Sequence, residues 1–514
     1  MTKETAAAAR PTARPAAPPG ARPYFSEGYK SLVLALLVTA YTFNFIDRTI
    51  ISTIGQAIKE DLKITDTQLG LLGGLFFALL YTFLGIPIAR LAERFSRVNI
   101  IAGAILIWSG FTALCGTAGN FATLAAYRFG VGIGEAGLSP SAHSLISDYY
   151  EPKRRASALS VYAFGIPLGA ALGAAAGGWL AQNLSWRLAF VWVGVPGILV
   201  ALAIKTLIKE PPRGHSEPLP AVIAEDVAPD EPAKPPPTLA AEFKEMAGVV
   251  ATLFGKWPVL NIVLGVTLVS FAGYGGGQFA PPYFIRAFGL NYAQVGAIIG
   301  LVSGVSSGAG TLAGGFLTDR LAKRSATWYA LVPAIGITLS YPFIVAIYTV
   351  GTWKAAAWLL LLPGLFSYTY LGPTFGVVQN MVPTYRRATA TAIMFFFLNL
   401  IALGGGPPIT GWMIDHFAAF HFAHPAEAGL TAAIRGFFAS NPADFQAACP
   451  GGMAPKAAGA AAAAACHGAL VLGTRQGVIV VYAVGLWGAL HYLFACFGLK
   501  AAMAKARADR GEAD

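Results

Sequence analysis

The chain has 514 residues, of which 55% are hydrophobic and only 12% are charged. Soluble globular proteins carry about 25% charged residues, so this composition excludes an ordinary cytosolic protein. The formal net charge is +11, but the excess cations lie at the edges of apolar segments and not in one basic run. That distribution does not suit nucleic acid and suits the anionic surface of a bilayer.

Twelve apolar runs along the chain are long enough to cross a bilayer as tilted helices, which needs about 20 residues each. They lie at 31–58, 68–89, 98–119, 121–147, 156–181, 187–207, 257–285, 292–318, 327–350, 353–381, 388–414 and 476–499. We therefore predict an all-α membrane protein with twelve transmembrane helices.

Segments without membrane character flank or interrupt these runs. They are an Ala-, Pro- and Arg-rich start (1–30), a Pro-rich middle (208–254), an Ala- and Gly-rich insertion (417–475) and a polar end (501–514). The first 23 residues lack the apolar core of a signal peptide, so we expect a disordered cytoplasmic tail. The middle predicts a flexible cytoplasmic linker between two bundles of six helices, 31–207 and 255–500. Its last residues, 239–254, favour an amphipathic helix on the membrane surface.

Positive charge is unequal on the two sides that this topology predicts. With the N-terminus inside, the short inner connections carry eleven cations and the short outer connections carry five. The inner cations are Arg90, Arg94, Arg97, Lys153, Arg154, Arg155, Arg320, Lys323, Arg324, Arg386 and Arg387, and the outer ones are Lys59, Lys63, Arg187, Arg286 and Lys354. The bias predicts that both termini face the cytoplasm. We expect a monomer in the cell inner membrane.

The insertion contains Cys449 and Cys466, two of the four cysteines in the chain. On this topology the insertion faces outward, where disulfides persist. A bond between them would close a loop of 18 residues and stabilise it by roughly 3 kcal/mol. Two unpaired thiols are the alternative.

A repeat relates the two bundles. Ala89–Arg97 (ARLAERFSR), after the second span, matches Gly315–Lys323 (GFLTDRLAK), after the eighth. Pro152–Ala158 (PKRRASA) matches Pro383–Ala390 (PTYRRATA) at nearly the same spacing. The two matches occur in the same order and at nearly the same spacing, which indicates that the two halves share one architecture.

With its doubled loop signature and twelve spans, the chain resembles transporters of the major facilitator superfamily. The resemblance implies two pseudo-symmetric bundles of six helices that expose a central site alternately to each side. It also implies that charges of the two signatures hold the cytoplasmic side closed, namely Glu93, Arg94, Arg97, Asp319 and Arg320. Simple anchoring of the inner helix ends by positive charge is the alternative.

Two further motifs resemble the spinster transporters, which carry sphingosine phosphate and lysophospholipids. They are Asn44–Arg48 (NFIDR) in the first span and Arg128–Ala136 (RFGVGIGEA) in the fourth. The Arg-x3-Gly-x2-Glu-Ala core of the second motif also resembles the organic anion:cation symporters. An anionic lysolipid and a small organic anion therefore both stay open as substrates.

Charged residues inside spans point to the same region. An ionisable group in the bilayer centre costs on the order of 3 kcal/mol, so it indicates function by default. From the rise per residue of a helix, we expect Asp47 and Arg128 to lie at nearly the same depth in the bilayer. An ion pair between them would lower the free-energy cost of burying each charge. Glu135 follows Arg128 by two turns on the same face. A purely structural ion pair is the alternative.

Opposed effects on the carboxylates suggest a mechanism. Burial favours the neutral carboxyl and a neighbouring cation favours the carboxylate, so a poised group can exchange a proton when access switches. We hypothesise that protonation of Asp47 releases Arg128 for an anionic headgroup. Glu135 would be a second proton or headgroup site, and Arg48 would bind a phosphate or hold a gate.

The second half offers aromatic and polar groups in place of a clear mid-membrane acid. Tyr274, Tyr368 and Asn399 are the candidates there for contact with the substrate, and they suit a wall for a lipid chain. No Walker loop, metal-ligand spacing or Ser/His/Asp set is present, so neither an enzyme nor a cofactor is expected.

Together these features predict a proton-coupled transporter of an amphipathic anionic lipid, such as a lysophospholipid or a sphingoid phosphate. A proton symporter for a sugar acid is the first alternative. A passive lipid channel or scramblase is the second.

Overall fold

The computed structural model describes residues 25–213, 215–216, 247–251, 254–382, 387–427 and 429–508. The first half contains α1 (Glu27–Thr53), α2 (Gly55–Leu62), α3 (Asp66–Gly73), α4 (Leu75–Arg94), α5 (Arg97–Cys115), α6 (Phe121–Glu135), α7 (Leu138–Tyr149), α8 (Pro152–Ala163), α9 (Gly165–Asn183) and α10 (Trp186–Leu207).

The second half continues the numbering. It contains α11 (Trp257–Phe288), α12 (Tyr292–Ile298), α13 (Gly304–Ala322), α14 (Trp328–Thr349), α15 (Trp353–Leu359), α16 (Leu361–Ser367), α17 (Leu371–Asn380), α18 (Arg387–Phe397), α19 (Gly404–Ala423), α20 (Leu430–Gly436), α21 (Pro442–Ala448) and α22 (Gly459–Ala508). Turns of π-helix, Ile299–Ser303 and Leu398–Leu403, join α12 to α13 and α18 to α19.

Eleven stretches of the described chain are helical, long and apolar enough to cross a membrane. The remaining span is the fourth, which the structure divides into α6 and α7 at Ala136 and Gly137. The predicted all-α fold with twelve spans is confirmed.

Local signals in the sequence set several helix ends. The side chains of Ser96 and Asn120 accept hydrogen bonds from backbone N–H groups in the first turns of α5 and α6. Thr65 and Gln68 form a capping box at the start of α3. Such bonds satisfy N–H groups that a helix leaves unpaired, so each helix begins at a defined residue.

The two halves meet at the end of the bundle that carries α20 and α21, which we name the insertion end. A Cβ atom built on Gly70 would lie 2.3 Å from the carbonyl oxygen of Pro407, and one on Gly178 would lie 2.3 Å from that of Tyr292. Glycine thus lets α3 pack on α19, and α9 on α12, backbone to backbone. The halves are closed at the insertion end.

The opposite end carries the start of α1 and the end of α10, and we name it the linker end. Between the halves, Tyr274 and Tyr368 remain 45% and 40% exposed. Since the insertion end is closed, the space beside these side chains opens toward the linker end.

The insertion differs from its predicted bounds of 417–475. Residues 417–423 belong to α19, and α22 begins at Gly459 inside the Ala-rich stretch. Alanine has the highest helix propensity, so this stretch extends the last span and does not form a loop. Cys449 and Cys466 form a disulfide, which ties the segment between these helices to α22.

The predicted bounds of the two tails and of the linker also differ from the structure. Helix α1 begins at Glu27, within the predicted tail 1–30, and α22 continues to Ala508, within the predicted tail 501–514. The first residues of the predicted linker 208–254 are ordered against the first half, where Glu210 accepts hydrogen bonds from Arg97 and from the Val98 N–H. Most of the predicted amphipathic helix 239–254 lies outside the described residues.

Candidate functional site

Arg48 of α1 and Glu135 at the end of α6 form the ion pair that borders the central space. The Nε atom of Arg48 donates to Glu135 Oε2 at 2.7 Å. The Glu135 side chain is fully buried, whereas that of Arg48 is 19% exposed. Glu135 Oε1 has no hydrogen-bond partner within the described part of the chain. The arginine therefore covers the carboxylate and is the charge that a molecule in the cavity meets first.

Aromatic rings surround this arginine. Its guanidinium carbon lies 4.6 Å from the ring centroid of Tyr81, 4.9 Å from that of Phe77 and 5.2 Å from that of Phe45. Rings at these distances attract a cation through their negative faces. These rings and the Glu135 carboxylate together hold Arg48 at the cavity wall.

Asp47 and Arg128 form a second pair behind the first. Arg128 Nη1 lies 3.5 Å from Asp47 Oδ1, and both side chains are 1% exposed. Neither carboxylate oxygen of Asp47 accepts a hydrogen bond from the described residues. Arg128 also donates weakly to the Leu72 carbonyl oxygen, at 3.4 Å. The structure thus brings together the two residues predicted at one depth, but it shields them from the cavity.

The second half faces this site with tyrosines. Tyr274 of α11 lies near Arg48 and Tyr81, and Tyr368 lies near Tyr274. Asn399 lies half-buried in the π-helical turn between α18 and α19. The cavity therefore has a charged wall from the first half and a largely aromatic wall from the second.

A cluster of charges at the insertion end joins the two halves and was missed by sequence reasoning. Asp66 of α3 accepts hydrogen bonds from Lys59 Nζ at 2.5 Å and from Arg286 Nη2 at 2.7 Å. Arg286 also donates to Gln56 at 2.8 Å and to Thr474 at 2.7 Å. In the sequence these charges stand at span ends and resemble ordinary loop charges. Nothing in the sequence pairs residues 220 positions apart.

The loop-signature charges that were predicted to close the linker end lie in two environments. Arg97 of the first signature bonds within its own half, to Asp148 and Glu210. Glu93, Arg94, Asp319 and Arg320 are exposed. Among the described residues no ion pair joins these five side chains to the other half, and closure of the linker end by them stays a prediction.

The fold and site agree with a family model. Residues 37–407 match the model of the Major Facilitator Superfamily, and the chain belongs to that superfamily. It is 32% identical to an MFS-type efflux pump of Mycolicibacterium smegmatis over 382 residues, which cover 74% of this chain and 84% of the relative. It is 26% identical to the hexuronate transporter of Bacillus subtilis, with coverages of 77% and 91%.

A solved structure extends the comparison. The chain is similar to a bacterial homolog of the human lysosomal transporter Spinster in an inward-facing and unoccupied conformation. The TM-score is 0.77 at 30% identity, over 94% of this chain and 99% of the other. The predicted resemblance to spinster transporters is confirmed, and the protein is a transporter of the superfamily.

Proposed function

We propose that this transporter carries an amphipathic anionic lipid, such as a lysophospholipid or a sphingoid phosphate, and couples its movement to protons. The main support for this proposal is the position of Arg48. Its side chain is a partly exposed cation that is paired with a buried carboxylate, and it lies at the wall of a cavity that opens at one end. A phosphate or carboxylate headgroup has the charge and the oxygen acceptors that a guanidinium binds.

The aromatic wall supports a lipid over a small polar anion. Tyr274 and Tyr368 offer large apolar faces with one polar atom each, which suits the chain and the glycerol or sphingoid region of a lysolipid. Arg48 would bind the headgroup while these rings contact the adjoining chain.

Proton coupling is supported by the competition for Arg48. When the anionic headgroup binds Arg48, the Glu135 carboxylate loses part of its compensating charge in a buried position. Burial without a partner favours the neutral acid, so headgroup binding and proton uptake by Glu135 become linked. Asp47 and Arg128 would be a second site of proton exchange behind this pair.

The charge bias of the loops supports an orientation with the linker end in the cytoplasm of the cell inner membrane. In that orientation the state described here would face inward, as the similar spinster homolog does.

Flux into liposomes tests the proposal. Purified protein is reconstituted, a pH gradient is imposed, and uptake of lysophosphatidylglycerol, sphingosine phosphate and glucuronate is measured in parallel. We expect gradient-driven lipid uptake by the wild type and by Glu427→Gln, an exposed acid in the insertion. We expect loss of the gradient dependence in Glu135→Gln.

A sugar-acid symporter is the second candidate, favoured by the similarity to a hexuronate transporter. Uptake of glucuronate without lipid uptake would establish it and reject the lipid. Lipid flux that ignores the gradient in every variant would instead identify a passive channel or scramblase.

A further inference from the structure

Asp415 of α19 holds the first turn of α3 from the opposite half. Its carboxylate accepts hydrogen bonds from the Asp66 N–H at 3.0 Å, the Thr67 N–H at 2.8 Å and the Thr67 hydroxyl at 2.6 Å. Thr65 satisfies the next N–H of the same turn, that of Gln68. Asp415 thus completes a helix cap that the local sequence leaves unfinished, and the donors come from the other half.

The surrounding charges are already paired among themselves. Asp66 takes Lys59 and Arg286 as partners, both buried in the same cluster. On its own helix, Asp415 has His416 next to it and His421 further along, and His421 bonds to Gln476 of α22. Lys59 and Asp66 are the charged groups that act on the Asp415 carboxylate. The hydrogen-bond donors to the carboxylate are therefore Thr67 and the α3 backbone, and the charge of Lys59 also acts on it.

A cavity reaches this carboxylate from the insertion end. Its volume is about 230 Å³, which is enough for several water molecules. The lining residues are Thr65, Thr67, Trp412, Asp415, His416, Pro442, Ala443 and Gln446. Asp415 is only 7% exposed, and it is one of the residues that line this cavity.

We infer that Asp415 is a proton-binding site that latches the insertion end. As a carboxylate it accepts from three donors of the other half. A proton on Oδ1 opposes the Asp66 N–H, and a proton on Oδ2 opposes the Thr67 N–H. Protonation through the cavity weakens the contact between α3 and α19 and favours opening of the insertion end.

This site is separate from Glu135. The inference rests on the proposed transport cycle only in taking the proton as the ligand, and it requires no particular substrate. Its test measures conformation and not flux, so its failure is distinguishable from failure of the proposed function.

Distances between spin labels test the latch. Gly119 lies in the loop before α6, Gly351 lies in the loop before α15, and a side chain at either position meets open space. Both are changed to cysteine and labelled in full-length protein in nanodiscs, with Cys115 and Cys496 replaced by alanine. Double electron–electron resonance is recorded from pH 8 to pH 4.5 without reductant.

We expect the long-distance population of the wild type to grow as the pH falls. Asp415→Asn replaces the carboxylate, which accepts three hydrogen bonds, with a neutral amide. Because one charged hydrogen bond is lost, we expect the ratio of open to closed protein at pH 8 to rise roughly tenfold. Asp444→Asn, an exposed acid on α21, should behave as the wild type.

Glu135→Gln should retain the pH response, because the latch lies elsewhere. Asp415→Glu keeps the charge and should also retain a pH response, which guards against a variant that is merely misfolded. A wild type whose distances ignore pH, or an Asp415→Asn protein with the wild-type profile, would overturn the inference.

Discussion

Arg48 and Glu135 join the first span to the fourth within one half, with 2.7 Å between Nε and Oε2. The arginine lies on the cavity side of this pair and the carboxylate on the buried side. We propose that an anion in the cavity competes with Glu135 for the same cation, which would link anion binding to proton binding in the proposed cycle.

Removal of the Glu135 carboxylate should separate lipid binding from proton coupling. In Glu135→Gln, Arg48 loses its anionic partner and binds an anionic lysolipid more tightly, because no internal carboxylate competes. We expect a lower Kd in tryptophan-quenching titrations and intact exchange of labelled for unlabelled lipid across liposomes. Uptake against a lipid gradient should be lost. A variant that still concentrates lipid in response to a pH gradient would contradict this role.

The buried pair of Asp47 and Arg128 is tested by single and double substitution. Asp47→Asn leaves Arg128 charged at 1% exposure, and an unpaired buried charge costs about 3–5 kcal/mol. We expect a clearly lower Tm in a thermal-shift measurement. The double variant Asp47→Asn with Arg128→Gln removes both charges and should recover much of that loss.

Transport by the double variant decides between structure and function. If the pair only fills space and balances charge, the double variant transports as the wild type does. We expect it to fold and to lack proton-driven uptake. Wild-type coupling in a stable double variant would make the pair purely structural.

Span count and the two halves were predictable, because both depend on composition and on a repeated loop motif. The depth of Asp47 and Arg128 followed from helix rise. The partner of Arg48 did not follow, since the choice between Asp47, Glu135 and a phosphate depends on how α1 and α6 are rotated against each other. Rotation is set by packing of many small residues, which one sequence does not reveal.

The insertion-end cluster was hidden for another reason. Asp66, Arg286 and Asp415 come from three separate spans, and they meet only when the halves close at that end. In the sequence each of these three residues lies next to a predicted loop, where charged residues are common. A bundle that is closed at the insertion end is needed to bring them together.

Packing of α3 on α19 predicts the effect of a larger side chain at the insertion end. A Cβ atom at Gly411 would lie 2.1 Å from the Asp66 carbonyl oxygen, so Gly411→Val forces the helices apart. We expect a shift toward opening at this end, seen as faster maleimide labelling of Thr474→Cys in the cluster. Gly315→Val, at a glycine with open space around it, is the control and should leave the labelling rate unchanged.

We expect the disulfide to stabilise the part of the last span at the insertion end. Cys449 belongs to the same buried hydrophobic cluster as Leu470 and Ile58, and Gln446 donates to the Lys63 carbonyl oxygen of the first half. Opening an 18-residue loop in Cys449→Ala with Cys466→Ala should cost roughly 3 kcal/mol. We expect a lower Tm by differential scanning fluorimetry. Cys496→Ala should leave Tm unchanged, and an equal loss there would point to a general effect of cysteine removal.

The start of the linker is held by a carboxylate, and this contact should depend on pH. Burial opposes ionisation of Glu210, but hydrogen bonds from the Val98 N–H, Arg97 and Ser96 outweigh it and hold its pKa below the usual value. Because the folded pKa is lowered, the stabilisation is present above the ordinary glutamate pKa and is lost as pH falls through the lowered value.

Glu210→Gln imitates the protonated state at neutral pH. Arg213, whose guanidinium donates to the Ala92 and Phe95 carbonyl oxygens, should then become a faster site for trypsin. Mass spectrometry of timed digests at pH 7.5 would measure cleavage after Arg213, with Glu151→Gln, an exposed acid at the start of α8, as the matched control. Equal cleavage rates in Glu210→Gln and wild type would mean that Arg213 and the neighbouring contacts hold the linker without Glu210.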